Sequence, residues 1–173
     1  SDFLSSQEVD DVFSLEDLTD ECRAVLAIAV YGGLRQGEIA GLRWSDVHLS
    51  GARPRLVVCR SRGNPTKTGR AREVPLLAPV ADALRTWQRS SGVQRSKFVF
   101  PADSGGLRSK GYDWGWGDRV YRAGARHVGA TSGAPPVVGT LRKTPGICSK
   151  AGIKRKIRFH DLRHTCGSHL IMG

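Results

Sequence analysis

The chemistry-bearing stretch of this chain is Phe159-His160-Asp161-Leu162-Arg163-His164-Thr165. It reads as a helix start. Asp161 suits a first turn, where its charge meets the positive end of the helix dipole. Leu162, Cys166 and Leu170 recur every four residues and make an apolar stripe. His160 and Arg163 are three apart, so they share a face that His164 joins. An imidazole and a guanidinium beside a helix N-terminus suit an anion, above all a phosphate. Read alone, the same residues equally suit a solvated helix start, and the decision lies upstream.

The other polar residues with a job lie on three upstream elements. Residues 3–33 predict two helices, the first capped by Ser6, the second running from about Leu15 to Tyr31 and stopped by Gly32-Gly33. A short helix follows from Arg35. Glu38 lies one turn beyond Arg35 and can hold its guanidinium. Residues 55–76 predict a β-hairpin or small sheet, with strands at 55–60 and 71–76. The turn between them, Ser61 to Arg70, is rich in Gly, Pro and Asn and strongly basic. Such a turn can lie along DNA and deliver Lys67 to a phosphate. Further on, a helix is expected over Ala78 to Arg89, a buried extended segment at Phe98 to Pro101, and a basic helix over 117–128. Residues 129–152 carry no period and predict an exposed, mobile loop.

Charge narrows the partner. The chain has 173 residues, 27 Lys and Arg against 16 acids, and a net charge of +11. Eight of the acids lie in residues 1–21, so the remainder is more basic still. That balance invites a polyanion, with nucleic acid the default. No apolar run is long enough to span a bilayer, and the chain does not open on a signal peptide. Cys22, Cys59, Cys148 and Cys166 form no C-x-x-C pair, and a reducing, cytoplasmic setting fits them.

Three pieces now stand in order: Gly33-Leu34-Arg35-Gln36-Gly37-Glu38-Ile39, Lys67-Thr68 in a basic hairpin closing on Val74-Pro75-Leu76, and His160-Asp161-Leu162-Arg163-His164-Thr165. Together they resemble the catalytic domain of the tyrosine recombinases, the phage integrase family. The resemblance covers about residues 5–128 and 150–173 and leaves 129–152 as a flexible insertion loop. It implies an α+β fold, mostly helical with a small antiparallel sheet. It implies site-specific recombination of double-stranded DNA at attachment sites through a 3′-phosphotyrosyl intermediate. The full-length protein would act as a homotetramer in the bacterial cytoplasm, with no metal or nucleotide cofactor and no membrane.

Position by position, Arg35 matches the first catalytic arginine, Glu38 its acidic support, Lys67 the hairpin lysine, and His160 and Arg163 the His-x-x-Arg pair. Arg60, Arg62, Thr66, Thr68, Arg70 and Arg72 are expected to contact DNA. Two guanidiniums can grip the non-bridging oxygens of a phosphoryl transition state and stay charged throughout. Lys67 would protonate the leaving 5′-oxygen, and His160 would exchange a proton with the nucleophile.

The family pattern continues past His-x-x-Arg with a further His or Trp and a nucleophilic Tyr. Tyr31, Tyr112 and Tyr121 all precede His160. Residues 1–173 are therefore expected to be a C-terminally truncated catalytic domain, inactive by itself. A non-catalytic, architectural DNA-binding relative fits the same features. A zinc site on His160, His164 and His169 fits less well, because His169 lies about 180° from His160 on a helical wheel. A type IB topoisomerase shares the chemistry but matches the motif wording less closely.

Overall fold

The computed structural model describes residues 3–66, 69–90, 96–110, 112–122 and 141–166. The fold is α+β. Its helices are α1 (Ser6–Phe13), α2 (Asp20–Gly32), α3 (Gln36–Gly41), α4 (Ala78–Arg89) and α5 (Ile147–Lys150). A short antiparallel sheet has the order β1 (Val47–His48), β2 (Arg55–Val58), β5 (Arg72–Pro75). Two ribbons accompany it: β3 (Arg60–Ser61) with β4 (Asn64–Pro65), and β6 (Arg119–Arg122) with β7 (Leu141–Thr144). Among the described residues, no helix is long and apolar enough to cross a membrane.

α2 is the centre of the core. Ala24 through Val30 are all buried, so this helix is surrounded rather than amphipathic. Thr19 caps it by accepting from the Cys22 N–H at 3.2 Å. Gly33 ends it in the left-handed region, φ 61°, which glycine reaches without steric cost. Its start lies at Asp20, because Leu15 to Leu18 form turns ahead of the cap rather than a first helical turn. α4 spans the expected residues and lays Val80, Ala81, Ala83 and Leu84 inward, packing on α2.

α1 is capped by Ser5, one residue before the expected Ser6. Ser5 Oγ accepts from the Glu8 N–H at 3.3 Å, and Glu8 Oε2 accepts from the Ser5 N–H at 2.8 Å. Glu8 also takes the Arg155 guanidinium, with Nη2 to Oε2 at 2.7 Å. The Leu4 N–H donates to the buried Thr165 Oγ1 at 3.1 Å. The acidic N-terminal stretch is thus tied to the basic C-terminal one.

In the sheet, β2 faces β5 from Arg55 opposite Pro75 to Val58 opposite Arg72. Leu56 and Val58 point into the core. The expected single hairpin is divided: beyond Val58 the chain makes the separate ribbon β3–β4, turning at Arg62-Gly63. α3 packs on that ribbon with almost no gap. A Cβ on Gly41 would sit 2.7 Å from the Arg62 backbone nitrogen. The Arg62 N–H in turn donates to Gly37 O at 2.6 Å.

The helix expected over 117–128 is not present at its start. Residues 119–122 form β6, paired antiparallel with β7 from Arg119 opposite Thr144 to Arg122 opposite Leu141. Val120 and Tyr121 have strand propensity, and the pairing partner is remote, which a local period cannot register. The mobile loop expected over 129–152 is likewise corrected at 141–152. That part holds β7 and α5, with Ile147 and Cys148 buried. Residues 123–140 lie outside the described residues. α5 is held by backbone bonds from Ile147 N–H to Gly115 O (2.9 Å) and Cys148 N–H to Trp116 O (3.1 Å). Gly146 makes this approach possible, since a Cβ there would meet the Gly117 carbonyl at 2.4 Å.

The segment 159–166 begins as a 3₁₀ turn over Phe159–Asp161 and continues helically through residues 162–166. Phe159 tilts against Trp114 at 5.3 Å between centroids, and Leu162 is fully buried. Asp161 is buried too. It accepts from the Arg158 backbone N–H at 2.9 Å and from its guanidinium at 3.1 and 3.2 Å. Its role in the motif is to fix the turn.

Candidate functional site

Two chain segments meet at the C-terminal end of α2. Gly33 turns the chain out of the helix and into Arg35. Cys166, one helical turn after Arg163, packs there, its Sγ 3.4 Å from where a Gly33 Cβ would stand. The Cys166 thiol donates to Tyr31 O at 3.3 Å. This docking brings Arg163 into the electrostatic field of Arg35.

Glu38 organises the cluster. It is 2% exposed, on α3. Its Oε2 accepts from the Arg35 backbone N–H at 2.8 Å, and its Oε1 from Arg35 Nη1 at 3.1 Å. Arg72, on β5, closes a second, two-pronged grip: Nη1 to Oε1 at 3.0 Å and Nη2 to Oε2 at 2.8 Å. Burial pushes the Glu38 carboxyl up, but Arg72, the Arg35 backbone N–H and the Arg35 guanidinium hold it below the ordinary glutamate value.

Arg163 lies in the field of these groups. It is half-buried and forms no ion pair among the described residues. Burial, then the like charges of Arg35 and Arg72, lower its pKa, with Glu38 acting in the opposite sense. Three guanidiniums against one carboxylate leave two positive charges in excess. Arg35 keeps half of its side-chain surface open to solvent. Such a site is short of negative charge, and an anion with several oxygens would relieve it.

His160 and His164 stand exposed on the same turn, rings 6.4 Å apart and nearly perpendicular. His169, the third residue of the zinc alternative, is outside the described residues. Lys67 and Thr68 are also outside them. The stem around those two is closed: Thr66 is buried, its hydroxyl donates to Arg70 O at 2.9 Å, and the Gly69 N–H reaches Thr66 O at 2.8 Å.

The basic residues assigned to DNA separate into three groups. Arg70 is exposed. Arg60 pairs with Asp46, and Arg62 donates to the carbonyls of Arg108 (2.9 Å) and Ser109 (2.8 Å), clamping the β3–β4 ribbon to a neighbouring loop. Arg72 is part of the cluster itself. Sequence reasoning placed Arg72 on the DNA-facing strand and missed its bond to Glu38, since 34 residues separate the pair. Position on a return strand was the only available signal. The structure brings Arg35, Glu38, Arg72 and Arg163 together.

The phage integrase family model matches residues 3–173. The chain is 38% identical over 149 residues to tyrosine recombinase XerC of Xanthomonas campestris pv. campestris (strain B100), covering 86% of this chain and 35% of that protein. Its fold is similar to the crystal structure of XerA recombinase, with TM-score 0.64, 18% identity, and 99% of this chain and 51% of that one covered. It is also similar to XerH site-specific recombinase bound to difH substrate in a pre-cleavage complex, with TM-score 0.63, 17% identity, and 99% and 43% covered. The fold is that of tyrosine-recombinase catalytic domains. The chain belongs to the phage integrase family. It spans about a third of the length of the XerC relative it matches.

Proposed function

We propose that this chain is the phosphate-gripping part of a site-specific DNA recombinase that works through a 3′-phosphotyrosyl intermediate. The observation that supports it most is the Glu38 cluster, with Arg35 and Arg72 on one carboxylate and Arg163 in their field, forming no ion pair among the described residues.

In this reading Arg35 and Arg163 hold the non-bridging oxygens of the scissile phosphate. As charge gathers there, both guanidiniums are already in place and need no reorganisation. They supply the positive charge that a metal ion brings to other phosphoryl-transfer sites. Glu38 and Arg72 keep Arg35 aimed. Lys67 gives a proton to the leaving 5′-oxygen. His160 exchanges a proton with an attacking tyrosine. That tyrosine is expected from the protein beyond residues 1–173, together with the further His or Trp of the family pattern. The partner is double-stranded DNA carrying attachment sites, engaged by a homotetramer in the bacterial cytoplasm. Energy is conserved in exchanging one phosphoester for another, so no nucleotide is consumed.

A nicked suicide substrate tests this in the full-length protein. A covalent 3′ adduct should form in EDTA, and Arg35→Ala or Arg163→Ala should reduce it by at least about 10²-fold. Robust adduct formation by the double variant, or a strict need for magnesium, contradicts the mechanism.

A further inference from the structure

The segment leading into the site carries its own basic row. From Lys156 to His160 burial alternates: Lys156, Arg158 and His160 face solvent, while Ile157 and Phe159 lie in the core. Trp116 anchors the row from beneath, its Nε1 donating to Ile157 O at 2.8 Å. Arg158 has extended backbone, φ −82° and ψ 155°. In such backbone, residues two apart present side chains about 6–7 Å apart on one face.

A cleft of ≈ 680 Å³ runs along this row. Lys156, Arg158 and His160 line it, as does Gln36, the neighbour of Arg35. Its carboxylates are turned to structural use. Asp113 accepts from the Gly115 and Gly117 N–H groups, and Asp118 from the Gly146 N–H and Ser149 hydroxyl. Lys156 forms no hydrogen bond or ion pair among the described residues. Arg158 spends part of its guanidinium on Asp161, yet its side chain is 74% exposed. The cleft is therefore lined by the exposed charge of Lys156 and Arg158.

We infer that Lys156 and Arg158 form a second phosphate-binding site, which holds the DNA backbone adjoining the phosphate gripped by Arg35 and Arg163. This rests on the DNA reading above. His160 and Gln36, which line the cleft, are close in sequence to Arg163 and Arg35, so a strand gripped by those arginines is taken to run on past Lys156 and Arg158. The second site takes backbone phosphate, not base edges, because a lysine and an arginine on an open face provide charge without a fixed donor pattern. Its work is to hold the duplex on the site, in ground state and transition state alike.

The test is the salt dependence of binding between this chain and a short random-sequence duplex, read by fluorescence anisotropy from about 50 to 200 mM salt. Lys156→Ala and Arg158→Gln should each lower the log–log slope by about 0.9, one phosphate contact apiece. Arg158→Lys should keep the slope, because charge rather than the fork to Asp161 is what DNA meets. Arg89→Gln, on α4, removes the same charge elsewhere and should leave the slope unchanged. In the full-length protein, Lys156→Ala should raise KM for suicide-substrate cleavage and leave kcat nearly intact. A steep wild-type slope that Lys156→Ala and Arg158→Gln do not alter overturns the second site and leaves the DNA reading standing. An equal loss from Arg89→Gln overturns it too, as a general charge effect. Absence of salt-dependent binding by the wild type removes both. Circular-dichroism melting of each variant separates a slope change from unfolding.

Discussion

Arg72 and Arg35 hold the same carboxylate, although one lies on a strand and the other at a helix start. Arg72 Nη2 is 2.8 Å from Glu38 Oε2, and Arg35 Nη1 is 3.1 Å from Glu38 Oε1. The strand that returns from the Lys67 turn is thereby fastened to the residue that aims Arg35. Losing Arg72 should unsettle Arg35 without removing it. Arg72→Ala is expected to slow adduct formation more than it weakens DNA binding. In a Glu38→Gln background the same change should cost much less, because the two residues act as a unit. Full additivity in that double-mutant cycle would show that Arg72 works independently of Glu38.

Glu38 is buried between its partners, so its substitution touches stability as well as aim. Glu38→Ala strands two guanidiniums, and a loss of about 1–3 kcal/mol is expected in urea denaturation. The pH dependence has a definite sign. Its folded pKa is depressed, so the stabilisation is present above the unfolded glutamate value and fades as pH falls through the folded one. Glu38→Gln should flatten that part of the acid limb.

Glu8 gives a second acid-sensitive tie. The Arg155 guanidinium and its capping-box bonds, working against burial, bring its pKa to about 2. The link between α1 and the 154–158 segment should hold above about pH 4.5 and be lost progressively toward pH 2. Hydrogen exchange at the α1 amides should accelerate over that window. Arg155→Met should bring the acceleration to higher pH; an unchanged profile would contradict the assignment.

Much of this architecture was legible locally. α4 is bounded as its Val80, Leu84 and Trp87 spacing predicts, and Gly33 stops α2 as Gly-Gly implied. The arginines of the site were visible because Leu-Arg-x-x-Glu and His-x-x-Arg are short-range patterns. What escaped depends on distant partners. β6 needs β7 across eighteen intervening residues, and Arg72 needs Glu38 across 34 positions. Neither leaves a period in the chain. Arg60 and Arg62 read as DNA contacts from charge alone; only packing shows that Asp46 and two loop carbonyls engage them.

The α3 to β3–β4 contact predicts a steric result. Gly41→Ala places a methyl 2.7 Å from the Arg62 nitrogen and 3.1 Å from its Cα, backbone atoms that cannot rotate away. A loss of about 1–3 kcal/mol is expected. Gly106→Ala, whose nearest neighbour is the Ser104 hydroxyl at 3.5 Å, should stay within about 0.5 kcal/mol. Equal melting temperatures for the two variants would refute the close approach.

The central claim is that Arg35 and Arg163 share one phosphate. Side-chain ¹⁵N–¹H resonances of arginine, followed while inorganic phosphate is titrated into this chain, test it directly. The Arg35 and Arg163 signals should move together along one binding curve, and Arg163→Ala should abolish the Arg35 shift. Movement of one signal without the other, or an Arg35 response untouched by Arg163→Ala, would contradict a shared site.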